Sequence, residues 1–203
     1  MNKRFVRHGV LFVVSAPSGA GKTTLVEALR QSPDLVYSVS CTTRAPRSGE
    51  MEGEDYQFLS GADFRARVQA GDFLEYANVH GDYYGTLRKP VLGNLQNGTD
   101  VLIDIDTQGA AAIRNCDDPF IRDALADVFI MPPDLEELRR RLTKRGTETP
   151  QQIEARLVTA AREMERWRDY RYTIISRSVE EDLQKFRYIM GAERYLSRRL
   201  IPK

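Results

Sequence analysis

Residues Ala16-Pro17-Ser18-Gly19-Ala20-Gly21-Lys22-Thr23 form a run of small residues closed by a lysine and a hydroxyl. Few short segments constrain a fold more. The glycines let the backbone turn inward so that successive N–H groups point at phosphate oxygens, Lys22 can reach the outer phosphates, and the Thr23 hydroxyl can meet a magnesium ion. Such a loop works only between a buried strand and a helix N-terminus. Val10-Leu11-Phe12-Val13-Val14 reads as the strand, and Thr24-Leu25-Val26-Glu27-Ala28-Leu29 reads as the helix. The full pattern begins with glycine where this chain has Ala16, a departure that constrains the geometry of the turn rather than its chemistry.

The flanking order of elements is that of an α/β protein. Val36-Tyr37-Ser38-Val39-Ser40, Tyr56-Gln57-Phe58-Leu59 and Phe73-Leu74-Glu75-Tyr76-Ala77 read as strands, with a helix from Ser60 to Gly71 whose cap signal is Ser60 followed by Asp63. Val101-Leu102-Ile103-Asp104-Ile105-Asp106 reads as a central strand bringing carboxylates to its carboxyl end, and Val128-Phe129-Ile130-Met131 as another, stopped by Pro132-Pro133. Thr149, Pro150 and Gln152 form a helix start, after which Ile153, Leu157, Ala160, Met164 and Trp167 recur on one face as core. A strand at Tyr172-Thr173-Ile174-Ile175 then leads to a terminal helix with Leu183, Phe186, Ile189 and Met190 together. No repeat or linker divides the 203 residues, so one domain is expected.

Composition narrows the partners. Thirty Lys and Arg against 29 Asp and Glu leave a net charge of +1, which recommends neither nucleic acid nor a membrane surface. No stretch approaches the length of an apolar membrane span, and nothing suggests export. Cys41 and Cys116 fit no metal-ligand spacing and read as reduced thiols of a cytoplasmic protein, while His8 and His80 are solitary and read as structural or surface groups.

A second constellation lies between the loop helix and the Asp104 strand. Thr42-Thr43-Arg44-Ala45-Pro46-Arg47 sets two guanidinium groups around a stiff proline, so that both can converge on one phosphate. Tyr56 and the pair Tyr83-Tyr84 can add phenolic donors. Asp104 and Asp106, two apart on a strand, face one side.

The run Ser38 to Glu50, then Gly53-Glu54-Asp55-Tyr56-Gln57-Phe58, Phe73-Leu74-Glu75-Tyr76-Ala77, Tyr83-Tyr84-Gly85-Thr86, Ile103-Asp104-Ile105-Asp106-Thr107-Gln108-Gly109 and Arg145-Gly146-Thr147-Glu148 resembles guanylate kinase in content and order. The resemblance runs from the loop to about residue 175 and implies a P-loop NTPase three-layer fold. In it a central parallel sheet (about 1–35, 98–138 and 165–203) carries an inserted acceptor-nucleotide segment (about 36–97) and a helical lid (about 139–164). It also implies transfer of the γ-phosphoryl group of MgATP to GMP. By similarity, residues 16 to 23 bind ATP, and Arg44, Arg47, Tyr56 and Tyr84 hold the GMP phosphate. Ser40, Glu75, Thr86, Asp104 and Asp106 would then line the guanine pocket, with Thr23 and Asp104, the latter through water, meeting Mg²⁺.

Glu75 suits guanine because a carboxylate accepts from N1–H and the N2 amino group, whereas adenine offers a lone pair at N1. The matching lid arginines are Arg141, Arg145 and Arg156, which with Lys22 and Arg44 would neutralise charge on the moving phosphoryl group. Arg139, Arg140, Arg162, Arg166, Arg168 and Arg171 have no such match and are expected on solvated faces or paired with Glu163 and Glu165.

Two other readings compete. Guanylate-kinase-like scaffold modules bind phosphopeptides without catalysis, but typically with a degraded loop, and Lys22, Thr23 and the lid arginines are intact here. A ribose-bisphosphate kinase would lack Glu75 and Thr86. Ser176-Arg177-Ser178 replaces the family's usual Asn-Asp-Asp turn and leaves the donor-base contact open, as is a homo-oligomer.

Overall fold

A computed structural model describes residues 5–79, 81–146 and 148–202, so the expectations placed on His80 and Thr147 lie outside the described residues. In chain order the elements are β1 (Phe5–Arg7), β2 (Leu11–Ser15), α1 (Lys22–Arg30), β3 (Leu35–Tyr37), β4 (Cys41–Thr42), β5 (Gln57–Phe58), α2 (Gly61–Gln69), β6 (Phe73–Val79), β7 (Asp82–Leu87), α3 (Arg88–Gln96), β8 (Asp100–Asp104), α4 (Thr107–Arg114), α5 (Pro119–Ala124), β9 (Leu125–Met131), α6 (Leu135–Arg145), α7 (Pro150–Met164), β10 (Tyr172–Ile175), α8 (Val179–Arg194) and β11 (Leu200–Pro202).

Five strands make an all-parallel sheet in the order β10-β9-β2-β8-β3. Strand β2 is apolar up to Ser15 because both its faces are covered: Phe12 and Val14, with Val10 just before the strand, pack with Leu25 and Leu29 of α1 and Phe186 and Met190 of α8. Leu11 and Val13 pack with Val91 and Leu95 of α3 and Ile113 of α4 on the other face. The result is three layers, and truncating a fully buried side chain such as Phe12 to alanine is worth about 3–5 kcal/mol of stability. Because β2 lies between β8 and β9, the chain leaves the carboxyl ends of β2 and β8 toward opposite sides. That divergence opens a crevice where ligands of such sheets bind.

The second sheet, β5-β4-β7-β6, is built with α2 from the chain between β3 and α3. Ser60 caps α2 by accepting from the Asp63 N–H at 3.0 Å. The strand expected over Val36 to Ser40 ends at Tyr37, and the chain then crosses to this second sheet at Cys41. Strand β7 and helix α3 carry little pattern of their own. Gly85 sits in β7 because a Cβ there would lie 2.9 Å from the Phe73 ring of β6.

Helix α7 starts with the capping box expected of Thr149 and Gln152 and buries Ile153, Leu157 and Ala160. Trp167, expected on that apolar face, is instead 38% exposed. The helix gives way at Glu165–Asp169 to a five-residue stretch wound at about three residues per turn, which throws the 3.6-residue face out of phase. The expected pairings of the surrounding arginines also change: Arg139 pairs with Glu154, Arg140 with Glu137, Arg166 with Asp169 and Arg171 with Glu193. Cys41 and Cys116 are both free. Among the described residues no helix is long and apolar enough to cross a membrane.

Candidate active site

The loop between β2 and α1 wraps a cavity of about 600 Å³ lined by residues 16 to 23 together with Asp106, Gln108, Arg145 and Glu163. Gly21 is the N-cap of α1 at φ 98°, a left-handed conformation that side chains disfavour, and no side chain caps the helix. The first N–H groups of α1 are therefore left for an anion. Gly19, at φ 88°, is also under a steric demand: a Cβ there would lie 2.6 Å from Leu142 of α6. Lys22 Nζ donates to the Ile105 carbonyl at 3.2 Å and pairs with Asp104, so strand β8 holds the lysine at the crevice floor.

The arginines expected to form a lid approach the loop by different routes. Arg141 donates to the Ala20 carbonyl at 2.9 Å, to Ser176 Oγ at 3.0 Å and to the Ser176 carbonyl at 2.9 Å. Glu137 orients it through Nε at 2.7 Å, and the Arg140 and Arg141 guanidinium groups hold that carboxyl down at about 2. Ser176 thus serves as an acceptor for Arg141 and is buried. Arg145 lines the cavity, and Arg156 donates to Ser18 Oγ at 3.0 Å while pairing with Glu148 at 3.0 Å.

A second cavity, about 280 Å³, is lined by Ser40, Tyr56, Glu75, Tyr84, Asp104 and Asp106, with Lys22 and Thr23 at one end. Glu75 stands on β6, 6% exposed, and accepts from Thr86 Oγ1 of β7 at 2.7 Å. Burial pushes its carboxyl up to about 7, against the Thr86 hydrogen bond and with a further push from Asp106. Arg44 lies at the rim, donating to Glu50 at 2.8 Å and to Tyr84 Oη at 3.3 Å, 5.4 Å above the Tyr56 ring. Its bond to Glu50 raises an already high guanidinium pKa, so it is a permanent cation.

Two expectations are corrected. Arg47 does not join Arg44: its side chain is exposed, and its backbone alone is engaged, the N–H donating to the Glu50 carboxylate at 2.7 Å and the carbonyl accepting from the Glu50 N–H at 3.1 Å. Asp106 is not on the strand, which ends at Asp104, so the two carboxylates are not a period-two pair. Asp106 is the N-cap of α4, accepting from the Gln108 and Gly109 N–H groups at 3.1 and 2.8 Å, and its contribution to both cavities is as a cap that fixes the turn.

Residue patterns gave no site role to Tyr37 or Gly109, and expected Glu163 only as an ion-pair partner for surface arginines, a pairing it does not make among the described residues. Tyr37 lines the smaller cavity, with burial pushing its hydroxyl upward. Gly109 lets α4 close on Glu75, since a Cβ there would lie 2.7 Å from Oε2. Its place in the Asp104 to Gly109 run was the one signal available.

A magnesium ion fits this donor set. Asp104 Oδ1 is buried, accepts no hydrogen bond, and is partnered among the described residues by the Lys22 ammonium alone, while the Thr23 hydroxyl stands exposed nearby. One carboxylate and one hydroxyl suit a hard cation that arrives on nucleotide phosphates rather than one caged by protein.

The sequence pattern of guanylate kinase matches residues 8–193. The guanylate kinase of Protochlamydia amoebophila (strain UWE25) is 46% identical over 189 residues, covering 92% of each chain. That of Alkalilimnicola ehrlichii is 45% identical over 195 residues, covering 96% of this chain and 94% of its own. The crystal structure of guanylate kinase from Anaplasma phagocytophilum superposes with a TM-score of 0.77 at 35% identity, covering 96% of this chain and 91% of that one. With a family match over most of its length and relatives at 45–46% identity over more than nine-tenths of the chain, the chain belongs to the guanylate kinase family.

Proposed function

We propose that this chain transfers the γ-phosphoryl group of MgATP to GMP, giving ADP and GDP, as a cytoplasmic enzyme of purine nucleotide recycling. The observation that carries the reading is that the two cavities share Lys22, Thr23, Val79 and Asp106. A donor whose phosphates lie on residues 16 to 23 and an acceptor whose base lies on Glu75 therefore bring their phosphates together at Lys22.

Glu75, ionised, accepts from guanine N1–H and the N2 amino group, with Thr86 holding one carboxylate oxygen and Ser40 completing the wall. Arg44, Tyr56 and Tyr84 take the acceptor phosphate, the part of the 36–97 segment nearest the crevice. Arg47 needs a change of rotamer to join them. Lys22 releases Asp104 in favour of the β- and γ-phosphate oxygens, and Arg141, Arg145 and Arg156 of the 139–164 lid add positive charge around the transferring group. Positioning and charge neutralisation supply most of the acceleration in such reactions. Magnesium, met by Thr23 and through water by Asp104, neutralises phosphate oxygens when bound.

An assay offering GMP, dGMP, AMP, UMP and CMP with MgATP tests this. The expected kcat/KM is highest for the guanine nucleotides, with the others lower by about a hundredfold or more because none presents the two adjacent donors that pair with both Glu75 oxygens. Equal turnover of AMP overturns the acceptor assignment, and no turnover of any acceptor overturns the kinase reading.

A further inference from the structure

Helix α7 sets a carboxylate where the loop would receive phosphate. Glu163 Oε2 accepts a hydrogen bond from the Ser18 backbone N–H at 3.4 Å and lines the cavity of residues 16 to 23. Among the described residues Glu163 makes no ion pair. Arg156, the lid cation that also touches Ser18, turns to Glu148 instead. Burial pushes the Glu163 carboxyl up and Asp106 pushes the same way, against the Ser18 N–H and the Lys22 charge. A half-buried carboxylate with those neighbours gains by turning to water unless the scaffold holds it.

The scaffold does hold it. Leu138 and Leu142 of α6 pack with Ile153, Leu157 and Ala160 of α7, and this small core sits on Gly19, where no Cβ would fit. The Arg141 hydrogen bonds to Ala20 and Ser176 fix the base of the same unit. Glu163 is thus carried to Ser18 by the way α6 and α7 seat on the loop.

We propose that Glu163 is an internal competitor for the donor phosphates: in the nucleotide-free chain it takes a loop N–H, and a polyphosphate must displace it to bind. Two anions cannot share that N–H, so arrival of the donor dislodges the carboxylate and with it one of the two α7 contacts to Ser18, the other being the Arg156 hydrogen bond to its hydroxyl. Donor affinity is lowered by this internal anion, and the α7 contact reports whether the loop is filled. The inference rests on reading residues 16 to 23 as the donor-phosphate cradle.

Calorimetric titration of tripolyphosphate, and separately of MgATP, into the wild type, Glu163→Gln and Glu163→Ala tests it, with GMP titrated as a control. Both variants should bind tripolyphosphate about three- to tenfold tighter than the wild type. GMP affinity should be unchanged, and the KM for ATP should fall without a rise in kcat. A purely structural role would move melting temperature and GMP affinity instead. A wild type that binds neither tripolyphosphate nor ATP overturns the donor-site reading itself. A wild type that binds them while both variants bind equally or more weakly overturns the competitor role.

Discussion

Thr86 Oγ1 donates a 2.7 Å hydrogen bond to Glu75 Oε1 across the β6–β7 pair, where the two residues are register partners just past an irregularity at Phe73. One carboxylate oxygen is thereby fixed by the protein. Glu75→Gln keeps the shape but replaces a charged double acceptor by one acceptor and one donor, so GMP binding should weaken by about 1.5–3 kcal/mol. ATP binding should stay within error. Unaltered GMP affinity by calorimetry would mean that Glu75 does not read the base.

The same residue makes GMP binding depend on pH. Its carboxyl, raised to about 7 by burial, is largely protonated below that pH in the free protein, yet guanine needs the carboxylate. GMP affinity should therefore climb as pH rises from 5 to 7 and level off above, with proton release on binding at pH 6 that disappears in Glu75→Gln. Calorimetry in buffers of different ionisation heat measures that release directly.

Stability of the ligand-free fold should run the other way. Folding raises the Glu75 pKa from 4.5 to about 7, so its favourable contribution is complete below 4.5 and is lost as pH rises through about 7. Relative to the wild type, Glu75→Gln should gain stability from pH 5 to pH 8 by an amount on the order of 3 kcal/mol. Urea melts of both proteins at the two pH values give the difference, and a constant gap would show that burial does not perturb Glu75.

Gly109 faces Glu75 from α4, and the Cβ of Gly109→Ala would lie 2.7 Å from Oε2. Alanine favours helix by about 1 kcal/mol over glycine, so local propensity argues for stabilisation. The contact argues for a displaced carboxylate. KM for GMP should rise about tenfold or more while KM for ATP holds, because the base contact worsens and the donor loop is untouched. Normal GMP kinetics would show that Glu75 has room to spare.

Lys22 is held by Asp104 and the Ile105 carbonyl in the free chain, within reach of both cavities. Its charge matters more as the phosphoryl group moves than when ATP first binds, so Lys22→Met should lower kcat about a hundredfold or more with a smaller change in ATP affinity. Stopped-flow single turnovers separate the two, and a kcat within about threefold of wild type removes Lys22 from the reaction.

What the chain encodes locally was legible without coordinates. The loop from Ala16 to Thr23, the apolar β2, the Thr149 capping box and the Tyr172–Ile175 strand all depend on neighbours within a few residues, and each stands where its pattern puts it. The guanine role proposed for Glu75 came from the resemblance, and the chemistry of a carboxylate only suits it. Tertiary packing decided the rest. Helix α7 passes into a tighter turn before Trp167, leaving that ring half outside, and β8 ends at Asp104, making Asp106 a cap. Arg47 faces solvent while Arg44 is drawn to Glu50 and Tyr84. Glu163 meets Ser18 across 145 residues of chain. Contacts of that range leave no periodicity or spacing to read, because they arise from how finished helices and sheets seat on one another, and only the assembled layers determine which side chains meet.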